Sequence, residues 1–161
     1  MKNILISAFC AILLANTGTA QDATPSVDDE TGPEADGFVT QSGEDAALSD
    51  FLWINRVIVV FADSPLDPSF AEQIELLSER PDELIDRDVV VLVDTAPDAG
   101  SSVRTQLRPR GFALVIVDKD GRVMLRKPVP WDLREITRSI DKTPLRQQEI
   151  RDEKNSALDG T

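Results

Sequence analysis

The sequence predicts a mixed α/β fold in a single domain, and three observations lead there. Val57-Ile58-Val59-Val60-Phe61 and Val89-Val90-Val91-Leu92-Val93 are unbroken apolar runs, the pattern of strands covered on both faces. Between them, Asp67-Pro68 precedes Phe70, Ile74 and Leu77 at helical spacing, as a crossover between parallel strands requires. Downstream, Asp118-Lys119-Asp120-Gly121 separates two more strand-like runs with a hairpin turn.

The elements follow in order. A first strand runs from Arg56 to Ala62. Asp67 stands at a helix N-cap with Pro68 at the first helical position, and Ala71 lies beside the apolar stripe. Arg80-Pro81 ends that helix, because proline disfavours the helical conformation in the residue before it. A second strand spans Asp88 to Asp94, and Ser101 or Ser102 caps a short helix through Leu107. The third strand, Phe112 to Asp118, turns at Gly121, which supplies a positive φ, into a fourth from Arg122 to Lys127. Pro128 and Pro130 break the chain, and Asp132 caps a helix through Asp141. Pro144 then starts a last polar helix that frays by Asn155. The order is β-α-β-α-β-β-α, a mixed sheet with flanking helices plus a C-terminal helix. Trp53 and Trp131 bracket it and are expected in the core or beneath its lips.

The flanks set expectations about compartment. Lys2, the apolar run Ile4 to Ala15 and the small residues Thr17 to Ala20 have the form of a secretory signal peptide over residues 1–20. Residues 21–50 hold nine acids and no base, with few large apolar side chains, and are expected to be a disordered acidic spacer. The folded domain is expected over 51–143, with a C-terminal helix and frayed tail over 144–161. These features point to a periplasmic or secreted protein with no stable membrane anchor after signal cleavage.

Composition excludes much chemistry. The chain contains no His and no Tyr, and its one cysteine, Cys10, lies within the signal segment. No thiol nucleophile, imidazole base or Cys/His zinc site is then possible in the mature chain. Neither a cofactor site nor a metal site is expected, and no catalytic residue is assigned. The net charge of −12 argues against nucleic acid as a partner. Charge is uneven: residues 51–99 carry three bases against eleven acids, and residues 100–154 carry thirteen against eight. That basic half could meet an acidic partner or the chain's own acidic segment.

Two stretches sharpen the fold class. Val59-Val60-Phe61-Ala62 resembles the thioredoxin strand that leads into the redox loop, and Gly111 to Val123 resembles the thioredoxin segment from its cis-proline into a hairpin. The resemblance implies a thioredoxin-like fold stripped of its chemistry. The Cys-x-x-Cys loop has become Ser64 to Ser69, the buried strand acid falls at Val59, and the cis-proline falls at Ala113, where a trans bond is expected. Nucleophile, proton acceptor and substrate clamp are all missing, so thiol–disulfide exchange and thiol peroxidase activity are rejected.

A broader resemblance covers nearly the whole folded domain. Leu52-Trp53-x-x-Arg56, Arg87-Asp88, Asp118 to Gly121, and Ile140-Asp141-x-x-Pro144-x-Arg146-x-x-Glu149 look like a domain family of unknown function. That family occurs in exported proteobacterial proteins and in vertebrate sushi-repeat and coiled-coil-domain extracellular-matrix proteins. Thr143 and Leu145 stand where the family often has methionines. The resemblance implies fold and compartment and is nearly silent on activity.

Two groups of candidate residues follow. Trp53, Arg56, Pro144, Arg146 and Glu149 carry the family-like marks and are candidate interaction residues. The Pro144–Glu149 helix could pair only within itself, dock a partner, or be fastened back onto the sheet by Arg146 and Glu149. Asp63, Ser64 and Asp67 form a candidate loop at a strand end and helix N-terminus, read either as an anion site or as a plain cap. The expected function is therefore an exported, redox-inactive protein-binding or assembly module with an envelope or extracellular protein as partner. The alternative is a cysteine-free small-ligand receptor or enzyme using the Asp63–Pro68 loop.

Overall fold

The computed structural model describes residues 40–159. The expected signal peptide and the spacer as far as residue 39 lie outside the described residues. The chain forms β1 (Thr40–Ser42), β2 (Arg56–Phe61), α1 (Pro68–Ser78), α2 (Pro81–Ile85) and β3 (Val89–Asp94). It continues with α3 (Ser102–Leu107), β4 (Ala113–Val117), β5 (Val123–Lys127), α4 (Leu133–Asp141) and α5 (Pro144–Asp159), with short 3-10 turns at Leu48–Phe51 and Pro97–Ala99.

The strands make one sheet in the order β1-β3-β2-β4-β5. β1 and β2 run parallel to β3, β4 is antiparallel to β2, and β5 is antiparallel to β4. That order and direction pattern is the thioredoxin-like sheet. All six residues of β2 are buried, as its unbroken apolar run requires of the central strand. Alternation along β2 divides the core in two. Val57, Val59 and Phe61 pack with Leu48, Val103 and Leu107 on one face. Ile58 and Val60 pack with Leu77, Leu84, Leu133, Ile136 and Ile140 on the other.

Local signals set the helix starts. The Asp67 carboxylate accepts from Ser69 N (2.8 Å), Ser101 Oγ from Arg104 N (3.0 Å) and Asp132 from Arg134 N (2.7 Å). Gly121 turns the hairpin at φ 82°. In α1 the buried polar residue is Gln73, whereas Ala71 is exposed. The Gln73 amide donates to Trp131 O and accepts from Trp131 N, which ties α1 to the segment before α4.

Four expectations need correction. The folded region starts inside the expected spacer, because β1 pairs with β3 and Leu48 is in the core. The β1 side chains are exposed, so only the backbone holds it, through pairing extended by Gly43 N to Val93 O at 2.7 Å. Gly43 has little room for a side chain: a Cβ there would lie 3.1 Å from Val93 O. Next, Pro81 does more than stop α1, since it is the first residue of α2. Helix α5 continues past Asn155 to Asp159. Finally, Trp53 is 70% exposed and not in the core, because a left-handed backbone turns it outward from the domain.

Candidate functional site

One end of the sheet is built around a buried cation. Arg56 opens β2, and its N–H donates to Asp88 O just ahead of β3 (2.8 Å). The antiparallel register sets Val57 opposite Val117, which brings Asp118 beside Arg56. The Arg56 side chain is fully buried. Its Nη1 and Nη2 donate to the two oxygens of Glu149 at 3.1 Å each, and Nη1 also donates to Arg87 O at 2.9 Å. Such a two-pronged pair is strong because fork and carboxylate match in shape. Nε lies 3.0 Å from Asp118 Oδ1 but misaligned for a hydrogen bond, so that contact is an ion pair only.

Glu149 is shared. Lys119 Nζ lies 3.0 Å from Glu149 and 2.7 Å from Asp88, and Arg146 Nη1 lies 3.3 Å from both Glu149 and Glu153. Burial alone would raise the Glu149 carboxyl, yet hydrogen bonds from Arg56, Lys119 and Arg146 outweigh it and hold the group below its usual range. Burial likewise opposes the charge on Lys119, and its bonds to Asp88 and Glu149 hold it above its usual range. A second clamp stands alongside: Arg87 donates twice to Asp141 at 2.8 Å. That bond, against the opposing effect of burial, raises the Arg87 guanidinium. Thr143 Oγ1 accepts from Arg146 N (3.3 Å) where Pro144 starts α5.

On the rim of this clamp the chain presents Leu52, Trp53 and Ile54, exposed by 39%, 70% and 63%. Trp53 sits at φ 63°, held by its N–H to Lys119 O at 2.7 Å. Leu52 lies over Gly121, where an added Cβ would come within 2.9 Å of Leu52 Cδ2. The hairpin turn, the apolar rim and the buried clamp are thus one connected unit.

The candidate residues divide between the two ends. Arg56, Arg146 and Glu149 meet in the clamp, Trp53 stands one backbone hydrogen bond away, and Pro144 only opens α5. Asp63, Ser64 and Asp67 lie at the opposite, carboxyl end of β2. Asp67 caps α1, Ser64 Oγ accepts from Leu66 N, and Leu66 is 88% exposed, so this loop is open. Val59 is buried apolar core, and no described peptide bond is cis. Among the described residues no cluster of three or more acidic, His or Cys side chains is placed to hold a metal. No described helix is long and apolar enough to cross a membrane.

Beside that loop is a cluster that sequence reasoning missed. The buried Asp94 accepts from Ser101 Oγ (2.5 Å) and from Arg104 Nε and Nη2 (3.0 and 2.8 Å). Arg104 also donates to Ala62 O and lies over the Phe61 ring, 5.3 Å from its centroid. Its Nη1 reaches within 3.9 Å of Asp63. An acid ending an apolar strand, followed by Ser101-x-x-Arg104, was the available signal. With its polar atoms paired, the cluster locks α3 to the ends of β2 and β3.

No curated protein matches the chain significantly. Among solved structures it is similar to a chloroplastic thioredoxin z, at 24% identity and a TM-score of 0.49, over 65% of this chain and 94% of that one. It is also similar to the reduced 2-Cys peroxiredoxin of Plasmodium vivax, at 16% identity and a TM-score of 0.48, over 60% and 81%. Residues 47–149 match the model "Domain of unknown function (DUF4174)", a span that holds both Arg56 and Glu149, and the chain belongs to that family.

Proposed function

We propose that this is a redox-inactive, exported thioredoxin-like domain that binds a protein of the envelope or extracellular space, as an assembly module. The observation that carries the reading is the exposed Leu52-Trp53-Ile54 run, in which Trp53 itself is held at positive φ. A residue with a Cβ held in that region is strained, and strained residues cluster at active sites and ligand clamps. Tryptophan is also enriched among the residues that dominate protein interfaces. The buried clamp supports the reading, because it rigidifies the rim and lowers the ordering cost of binding. The ligand-receptor alternative at Asp63–Pro68 has less behind it, since that loop is open. The test is capture of envelope proteins by the full chain. One partner should be held by wild type and by Asp67→Ala, and lost with Trp53→Ala, with tryptophan emission of a Trp131→Phe chain, which reports Trp53, shifting on addition of the purified partner. Equal capture by wild type and Trp53→Ala would sink the proposal.

A further inference from the structure

At the other end of the sheet, Arg108, Arg110, Arg126 and Lys127 line a cleft of about 460 Å3 whose remaining walls are apolar, Phe112 and Pro128 among them. No carboxylate lines it, although the chain carries a net charge of −12. The β4–β5 hairpin brings Arg126 and Lys127 back beside the segment that holds Arg108 and Arg110. Arg108 ends α3 at φ 49° and Gly111 follows at φ 60°, so the Arg108–Gly111 loop turns sharply before β4. Arg126 lies opposite Val115 and so shares the face on which Val115 packs with Leu107 of α3. Lys127 lies on the other face, its ammonium 4.3 Å from the Trp131 ring centroid. Among the described residues, Arg108, Arg110 and Arg126 form no ion pair with a carboxylate. Ala113 is opposite Phe61, which puts the cleft at the carboxyl end of β2, where open α/β sheets habitually bind ligands.

We infer that this cleft binds a small organic anion bearing two or more carboxylate or phosphate groups on an apolar body. Guanidinium forks match carboxylate and phosphate oxygens two at a time, and the apolar walls take the ligand's body. The volume is that of a small-molecule site. It is a separate site from the Trp53 rim and does not depend on the function proposed there. Acidic side chains carry the same carboxylate chemistry, so the test separates the two sources.

The experiment titrates isotope-labelled full chain, at low ionic strength, with benzene-1,3,5-tricarboxylate, with pyrophosphate, and with a peptide of residues 21–39. Benzene-1,3,5-tricarboxylate should give saturable amide shifts confined to residues 107–113 and 126–127, and should saturate at lower concentration than pyrophosphate, which has no apolar body. Arg126→Ala and Arg110→Ala, both exposed positions, should each weaken tricarboxylate binding about tenfold by removing a charge-assisted hydrogen bond. Arg151→Ala, on exposed α5, should leave the affinity unchanged. Non-saturating shifts, shifts spread over all cations, or equal losses in Arg126→Ala and Arg151→Ala would overturn the inference. Saturation by the peptide alone would also overturn it, marking the cleft as a seat for acidic polypeptide.

Discussion

Trp53 holds a backbone conformation that costs a residue with a Cβ about 1–2 kcal/mol, and at 70% exposure its side chain recovers little by burial. Glycine occupies that region freely but loses about 0.5–1 kcal/mol more backbone entropy on folding. Trp53→Gly should therefore leave thermal stability unchanged or raise it by up to about 1 kcal/mol, while abolishing partner binding. A loss above about 2 kcal/mol would instead show that Trp53 packs like a core residue. Arg56 gives the opposite case. Removing Glu149 strands a guanidinium that is fully buried, whereas removing Arg56 leaves a carboxylate still served by Lys119 and Arg146. Glu149→Ala should cost toward the lower end of about 3–5 kcal/mol, because Asp118 remains as a counter-charge. Arg56→Met should cost less, and the double variant less than the sum of the two; urea unfolding measures all three. An additive double variant would mean that the pair is not coupled. The candidate residues here were legible only through family resemblance. No pattern in the sequence announces that two residues 93 apart share a two-pronged ion pair, since periodicity reports burial and not partners.

Helix α5 has no apolar stripe of its own and is held chiefly by charge, so its docking is the element most sensitive to pH. The Glu149 carboxyl is held below its usual range in the folded chain. Its stabilisation is complete above the unfolded value of about 4.3 and is lost as pH falls through the lower folded value. Lys119 is raised, so its stabilisation is complete below about 10.4 and is lost as pH rises through the higher folded value. The stability gap between wild type and Glu149→Gln should stay constant between these limits and shrink below about pH 4. Urea unfolding at a series of pH values reads this directly, and a gap that persists into strong acid would assign the effect to packing. The same contrast explains which elements could be read beforehand. β2, β3, α1 and α4 announce themselves by apolar runs and by Asp67 and Asp132 at their caps. β1 could not, because Thr40-Gln41-Ser42 buries no side chain and joins the sheet by backbone bonds alone. α2 was hidden because Pro81 reads equally as a stop and as a first helical residue.

The domain separates its features along the strands of one sheet. Arg56 and Trp53 belong to the amino end of β2, and the cationic cleft lies beside its carboxyl end, where Ala113 faces Phe61. Six strand residues span about 20 Å, twice the Debye length of about 10 Å at 0.1 M salt. Solvent-exposed charges at the two ends are therefore largely screened from one another at that salt, and the central strand between them is buried at every residue. Independent behaviour of the two ends is therefore the expected outcome. Trp53→Ala should abolish partner capture and leave tricarboxylate affinity unchanged. Arg126→Ala should weaken the anion about tenfold and leave partner capture unchanged. The double variant should show each single defect and no more, with stabilities adding to within about 0.5 kcal/mol, as distant sites do. A change in partner affinity when tricarboxylate saturates the cleft would contradict this independence and would require two arrangements of β2 and its neighbours.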